Sequence, residues 1–270
     1  MSGHGVSHGA ISVMNAIPCG IGSTIGIGIS TDAFFEPSDR TEIILKDRPS
    51  LSTDLASTCV RRTLKRIGES TEFRLEVRTD IPPSMGLKSS SSVCNAVISS
   101  VLDHYGISME DLDLVRLGVE CAKECKVTIT GAFDDACGCF GEGLVITDNT
   151  RNELLCRKAV PKLDVVICVP DTDIPKSKVP VERYRELRQV YEDMVPSIEE
   201  DYLDVLTRNG RYVEGIIGTG TGLSERALAL GALAAGITGT GPAVAVVAKK
   251  GDGKRIAEEL GCRYILTETR

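Results

Sequence analysis

Apolar and charged residues alternate through Phe73-Arg74-Leu75-Glu76-Val77-Arg78, the period of a half-buried strand. The pattern then breaks. Residues 79–92 carry two prolines, which deny helical and ladder geometry, Gly86, which permits a positive φ, and four successive serines. Periodicity returns at Val93, Ala96, Val97, Ser100 and Val101 with the three- and four-residue spacing of a helix, whose first turn Ser89 to Ser92 are placed to cap. Earlier in the chain, residues 10–30 alternate small, apolar and polar side chains around Gly20, Gly22, Gly26 and Gly28, which predicts two strands about a glycine turn. A strand is predicted over 41–46 and a helix over 52–67, closed by Gly68. Ser108-x-x-Asp111 reads as a capping box opening a further helix through Leu112, Val115, Val119 and Ala122. A strand follows over 141–146, with Asp148-Asn149-Thr150 as a boundary turn. The continuous apolar run 163–170 predicts a buried strand that begins a second unit. Helices over 181–194, 196–208 and 223–235, a strand over 244–248, a helix over 254–260 and a strand over 263–267 complete an α+β chain.

With 270 residues and 42% hydrophobic content, two modest domains with proper cores are expected, residues 1–155 and 156–270. A net charge of −7, with no lysine or arginine before Arg40, gives neither a nucleic-acid face nor a polybasic anchor, and no charged leader of a secretory signal. The longest apolar runs, such as 228–237, fall short of the roughly 18 residues that cross a bilayer. A cytoplasmic protein that engages neither nucleic acid nor membrane is the expectation, and nothing in the pattern indicates an oligomeric state. Ten cysteines invite a metal reading, yet no Cys-x-x-Cys pair exists and the three histidines lie elsewhere, so reduced and mostly buried thiols are expected.

Strand, glycine and serine loop, then helix N-terminus is an anion-binding order, because unpaired amides and the positive end of the helix dipole converge. The alternative is a polar linker, which has no use for an immediately following apolar helix. The loop is not a Walker loop, whose spacing is absent from the chain, and the early glycines are not a dinucleotide fingerprint, because Ile25 stands where the third glycine belongs. A second informative stretch is Thr128-Ile129-Thr130-Gly131-Ala132-Phe133-Asp134-Asp135-Ala136. Adjacent carboxylates cannot both be buried cheaply, so one must meet water, a metal or a ligand, although turn chemistry alone also uses Gly and Asp. Glu120 and Glu124 end the preceding helix either as solvated surface charge or, for Glu124, as a candidate magnesium ligand. Thr238-Gly239-Thr240-Gly241-Pro242 is a glycine loop into a strand. The charged run from Glu182 to Arg188 reads as a solvated helix face from which one arginine could reach an anionic substrate.

Pro82-x-x-x-Gly86-Leu87-x-Ser89-Ser90 resembles the ATP-binding motif of the GHMP kinases, and Gly86-Leu87-Lys88-Ser89-Ser90-Ser91 resembles the form found in their archaeal-type shikimate kinases. Thr130-Gly131-Ala132-Phe133-Asp134-Asp135 is similar to the stretch carrying the family's aspartate base, and the Gly239/Gly241 loop to a third conserved motif. Met14-Asn15-Ala16 with Gly20-x-Gly22 is similar in position to the first motif, without the cation that many relatives carry there. The resemblance runs from about Ala10 to the C-terminus. It implies a two-domain GHMP kinase fold with a ferredoxin-like C-terminal domain, an active site in the interdomain cleft, ATP as co-substrate and Mg2+ as cofactor. The implied reaction is phosphorylation of the shikimate 3-hydroxyl, with homoserine, mevalonate or pantoate kinase, or a silent nucleotide binder, as alternatives. By the same resemblance Pro83, Ser84, Met85, Gly86, Leu87, Lys88, Ser89, Ser90, Ser91 and Ser92, with Gly239 and Gly241, hold the nucleotide. Ser90 and Glu124 are the metal candidates, and alignment on Ala136 makes Asp134 the catalytic carboxylate with Asp135 as its competitor.

Overall fold

The computed structural model describes residues 2–46, 48, 50–171, 179–218 and 222–270. The glycine-rich opening forms two long antiparallel strands, β1 (Gly3–Met14) and β2 (Ile21–Ser38). β1 runs along one edge of β2. Along the other edge lie β5 (Leu144–Asp148) on the first half of β2 and β4 (Glu72–Thr79) on the second. β3 (Glu42–Leu45) joins β4 in parallel and β6 (Glu153–Lys158) joins β5, which completes a six-stranded sheet. The expected division after residue 155 therefore falls inside β6, and the change of sheet comes between Lys158 and Asp164.

Small residues on this sheet serve close helix approach. A Cβ on Gly3 or Gly5 would lie 2.1 Å from the Ser100 or Ala96 carbonyl of α2 (Ser89–Tyr105), so only glycine lets α2 settle directly on β1. α1 (Asp54–Ile67) and α3 (Asp111–Glu124) pack beside α2 over Phe35, Phe73, Leu75 and Val77, with Cys59, Cys94 and Cys121 buried among them as free thiols. α3 begins at Asp111 with Glu110 at its N-cap and no side-chain cap, so Ser108 is not the cap that the box pattern predicted. α4 (Phe133–Phe140) packs against β1 and β2.

The second sheet is antiparallel in the order β10 (Tyr264–Glu268), β7 (Asp164–Cys168), β9 (Val244–Ala248), β8 (Ala234–Ile237). With α7 (Tyr202–Ile217) between β7 and β8 and α9 (Gly253–Leu260) between β9 and β10, this is the βαββαβ ferredoxin-like arrangement. The expected helix over 181–194 is two short ones, α5 (Val181–Arg185) and α6 (Arg188–Met194), separated at Glu186-Leu187. Arg183 on α5 donates to the Ile216 and Gly215 carbonyls at the end of α7, which uses it as a helix C-cap. α7 starts later than predicted and runs on to Ile217, through a glycine that packing demands: a Cβ on Gly210 would come 2.3 Å from the Gly236 Cα of β8. α8 (Leu223–Ala229) ends early because Gly231 turns the chain at φ 95, and residues predicted as its last turns become β8.

The two sheets share a core. Ile11, Ile25, Ile27 and Ile146 from the first meet Val165, Ile167, Ala245 and Val247 from the second, with Tyr191, Met194 and Leu206 from the helices. The final residues tie the sheets: the Arg270 amide donates to the Gly26 carbonyl and the Thr269 amide to that of Leu163. No helix among the described residues is long and apolar enough to cross a membrane.

Candidate active site

A cleft of about 650 Å³, within the usual range for ligand pockets, opens beside the N-terminal ends of α1, α2 and α4 and the glycine loop that follows β8. One wall is the segment joining β4 to α2. It is anchored rather than loose: Ile81 and Leu87 are buried, and the Asp80 amide donates to the Ser30 carbonyl. Ser84, Gly86 and Lys88 take positive φ values of 58°, 77° and 67°, an alternation of hand that turns successive amides toward one side. α2 then starts at Ser89 from Lys88 as N-cap, and no side chain caps it. The serines are first-turn residues rather than caps. The amides of Ser89, Ser90 and Ser91 have no intrahelical acceptor and no acidic side chain lies in the first turn, so the helix presents an open anion site to the cleft.

The glycine loop of the second sheet closes over this wall. Thr238 Oγ1 donates to the Gly86 carbonyl at 3.1 Å, and a Cβ on Gly86 would stand 2.0 Å from the Thr238 carbonyl oxygen. A Cβ on Gly239 would be 3.1 Å from the Gly86 oxygen. The two loops touch backbone to backbone, which only paired glycines permit. Asn15 at the end of β1 joins them, donating to the Gly239 carbonyl at 3.2 Å while the Asn209 side chain accepts its amide.

α4 carries the two carboxylates into the same cleft with different surroundings. Lys88 Nζ lies 2.9 Å from Asp135 Oδ1, with the lysine side chain 5% and the aspartate side chain 20% exposed. Asp134 is turned toward the sheet. Asn149 Nδ2 donates to its Oδ1 at 2.6 Å, Asn149 Oδ1 accepts its amide at 3.0 Å, and a Cβ on Gly22 would fall 2.4 Å from its Oδ2. Burial first, and then the neighbouring Asp135 charge, raise the Asp134 carboxyl from 3.8 to about 7. Between about pH 4 and pH 7 the folded chain thus holds a proton that the unfolded chain has released, and this group's contribution to stability falls as pH rises through that window. Asp134→Asn removes the titration while keeping the shape. Its melting temperature relative to the parent is expected to climb between about pH 5 and about pH 8, and a constant difference would contradict the buried, raised carboxyl.

Of the predicted nucleotide-holding residues, Pro83, Ser84, Gly86, Leu87, Lys88, Ser89, Ser90, Ser91, Gly239 and Gly241 line the cleft. Met85 instead packs on the core between the sheets, and Ser92 is fully buried on the inner side of α2. Glu124 is corrected: it is a surface residue 3.2 Å from Arg62, which also holds Glu120, and it does not reach the cleft. No group of three His, Cys, Asp or Glu side chains poised for a metal ion occurs among the described residues. Gly22, Asn149 and Ser12 were not predicted. Gly22 carried a turn signal and a place in the stretch similar to the first motif, Asn149 carried only a turn signal, and Ser12 sits in a strand pattern without any mark. The lining also carries an apolar set, Leu45, Leu55, Val77, Val93 and Val127, beside the charged Lys46, Arg48 and Lys126.

The GHMP kinases N terminal domain model matches residues 54–143 and the GHMP kinases C terminal model matches residues 221–266. The chain belongs to the GHMP kinase family. Within it, the chain is 35% identical to a shikimate kinase of Methanothrix thermoacetophila over 98% of this chain and 93% of the relative. A shikimate kinase of Pyrococcus furiosus is 32% identical over the whole of both chains. Among solved structures, the Methanococcus jannaschii mevalonate kinase superposes with a TM-score of 0.80 at 14% identity, covering 100% of this chain and 98% of that one. The homoserine kinase of Cytophaga hutchinsonii gives 0.76 at 16% identity, covering 100% and 95%. These two show the shared fold.

Proposed function

We propose that this chain transfers the γ-phosphoryl group of ATP to the 3-hydroxyl of shikimate, giving shikimate 3-phosphate and ADP on the route to chorismate and the aromatic amino acids. The observation that carries the phosphoryl-transfer part is the convergence, in one cleft, of the open α2 N-terminus and the Lys88–Asp135 pair. The acceptor follows from the full-length similarity to shikimate kinases.

The apolar lining of Leu55, Val77 and Val127 takes the base, and the amides of Ser89 to Ser91 take the triphosphate. Asp135 orients the acceptor hydroxyl and receives its proton, because it is the carboxylate with exposed surface, whereas Asp134 is enclosed by Asn149 and Gly22. This reverses the order that alignment on Ala136 suggests. A secondary alcohol is too weak an acid to ionise first, so proton removal accompanies transfer late and positioning carries much of the rate.

Magnesium fits the donor set. Mg2+ arriving with a triphosphate keeps several waters and needs only one or two protein oxygens, and Ser90 in the first turn of α2 offers a hydroxyl there. When bound, the ion would neutralise charge on the β and γ oxygens. Assay of ADP release with ATP, magnesium and shikimate, with the product's phosphate located on the 3-oxygen, tests the reading.

A further inference from the structure

Ser12 stands on β1 in the wall of the cleft, 2% exposed. Its oxygen accepts from the Gly239 amide at 3.0 Å and from the Lys88 ammonium at 2.7 Å, and its own amide donates to Thr238 Oγ1 at 3.0 Å. A serine hydroxyl has two accepting lone pairs and one proton to give. Both lone pairs are engaged here, and no acceptor for the proton occurs among the described residues. Two donors, one of them charged, fix the hydroxyl's rotation and polarise it. What is left is one directed hydrogen-bond donor on the surface of the cleft, beside the amine that joins α2 to Asp135.

We propose that Ser12 is a catalytic donor, giving its hydrogen bond to an oxygen of the phosphoryl group as it passes from nucleotide to acceptor. This rests on the phosphoryl-transfer reading above and adds a residue to it. The donor suits an anionic oxygen, because a hydroxyl polarised by an ammonium gains most against developing negative charge. Its rigidity matters equally: Gly239 and Lys88 hold the hydroxyl and Thr238 holds the Ser12 backbone amide, so no reorientation is needed when charge appears.

Ser12→Ala is expected to lower kcat by about 10²-fold, the scale for losing one positioned donor, with affinity for ADP and magnesium within about three-fold of the parent. Affinity for ADP, magnesium and aluminium fluoride together, a mimic of the group being transferred, should fall by about the same factor as kcat. Ser12→Thr, which keeps the hydroxyl and suits a strand, should restore most of both. If Ser12→Ala does not fold, Ser12→Cys, with a weak donor in similar volume, carries the same comparison. Parental kcat in the alanine variant overturns the proposal. So does equal loss for ADP alone and for the fluoride mimic, which is what a serine that merely holds the loops would give. A parent that neither binds the mimic nor turns over any acceptor would fail differently, removing phosphoryl transfer itself.

Discussion

Asp135→Asn is expected to lower kcat by about 10²- to 10⁴-fold, while the dissociation constant for ATP stays within about three-fold. The substitution keeps shape and one accepting oxygen for Lys88 but removes the negative charge that holds the acceptor proton, and so it acts on the step rather than on nucleotide binding. Its second consequence is local. Lys88, with a side chain only 5% exposed, loses its anion and keeps Ser12 as partner, so a modest fall in melting temperature should accompany the loss of rate. Steady-state kinetics, an ATP titration and a melting curve read all three. A nearly full rate in Asp135→Asn beside a dead Asp134→Asn would return the base to Asp134, the residue that alignment on Ala136 selects.

Gly86→Val should be almost as damaging, for a reason that lies outside the loop it occupies. A β-branched residue at φ 77° is strained, and its Cβ would sit 2.0 Å from the Thr238 carbonyl of the opposite sheet. Backbone cannot swing aside as a side chain can, so the two glycine loops must part and the Thr238 hydroxyl must leave the Gly86 carbonyl. Strain of this kind costs about 3 kcal/mol, or about 10²-fold in ATP affinity if it falls on the binding-competent arrangement. The variant should bind ATP that much more weakly and melt earlier. A folded Gly86→Val with the parental dissociation constant would show that these amides do not cradle the nucleotide.

The strand, loop and helix proposed to hold the nucleotide were legible because each has its own period and its own turn chemistry, and because a serine run ahead of an apolar helix has few structural uses. The carboxylate pair was legible as a pair. Which member is enclosed and which keeps exposed surface was not, since neighbours on a helix differ by about 100° in direction and only the packing of α4 on β2 decides which one meets the sheet. Gly22 shows the same limit: it reads as a turn glycine in the stretch similar to the first motif, yet it makes room for the Asp134 carboxylate from inside a strand. Glu124 looked available from its place at a helix end, but Arg62, distant in sequence, faces it on the surface. Ser12 carried no sequence signal because its role comes from three hydrogen bonds to residues at positions 88, 238 and 239.

Shikimate as the acceptor can be set against its rivals. The direct measurement is kcat/KM of the purified chain, with ATP and magnesium, for shikimate, homoserine, mevalonate and pantoate at matched concentrations. Shikimate offers one carboxylate and three ring hydroxyls, whereas homoserine brings a cationic amine that a site built for shikimate would leave unpaired on desolvation. Shikimate should therefore exceed every other acceptor by several orders of magnitude, about 10³-fold or more. Faster turnover of homoserine, mevalonate or pantoate would contradict the acceptor, and turnover of none, with ATP still bound, would contradict catalysis altogether.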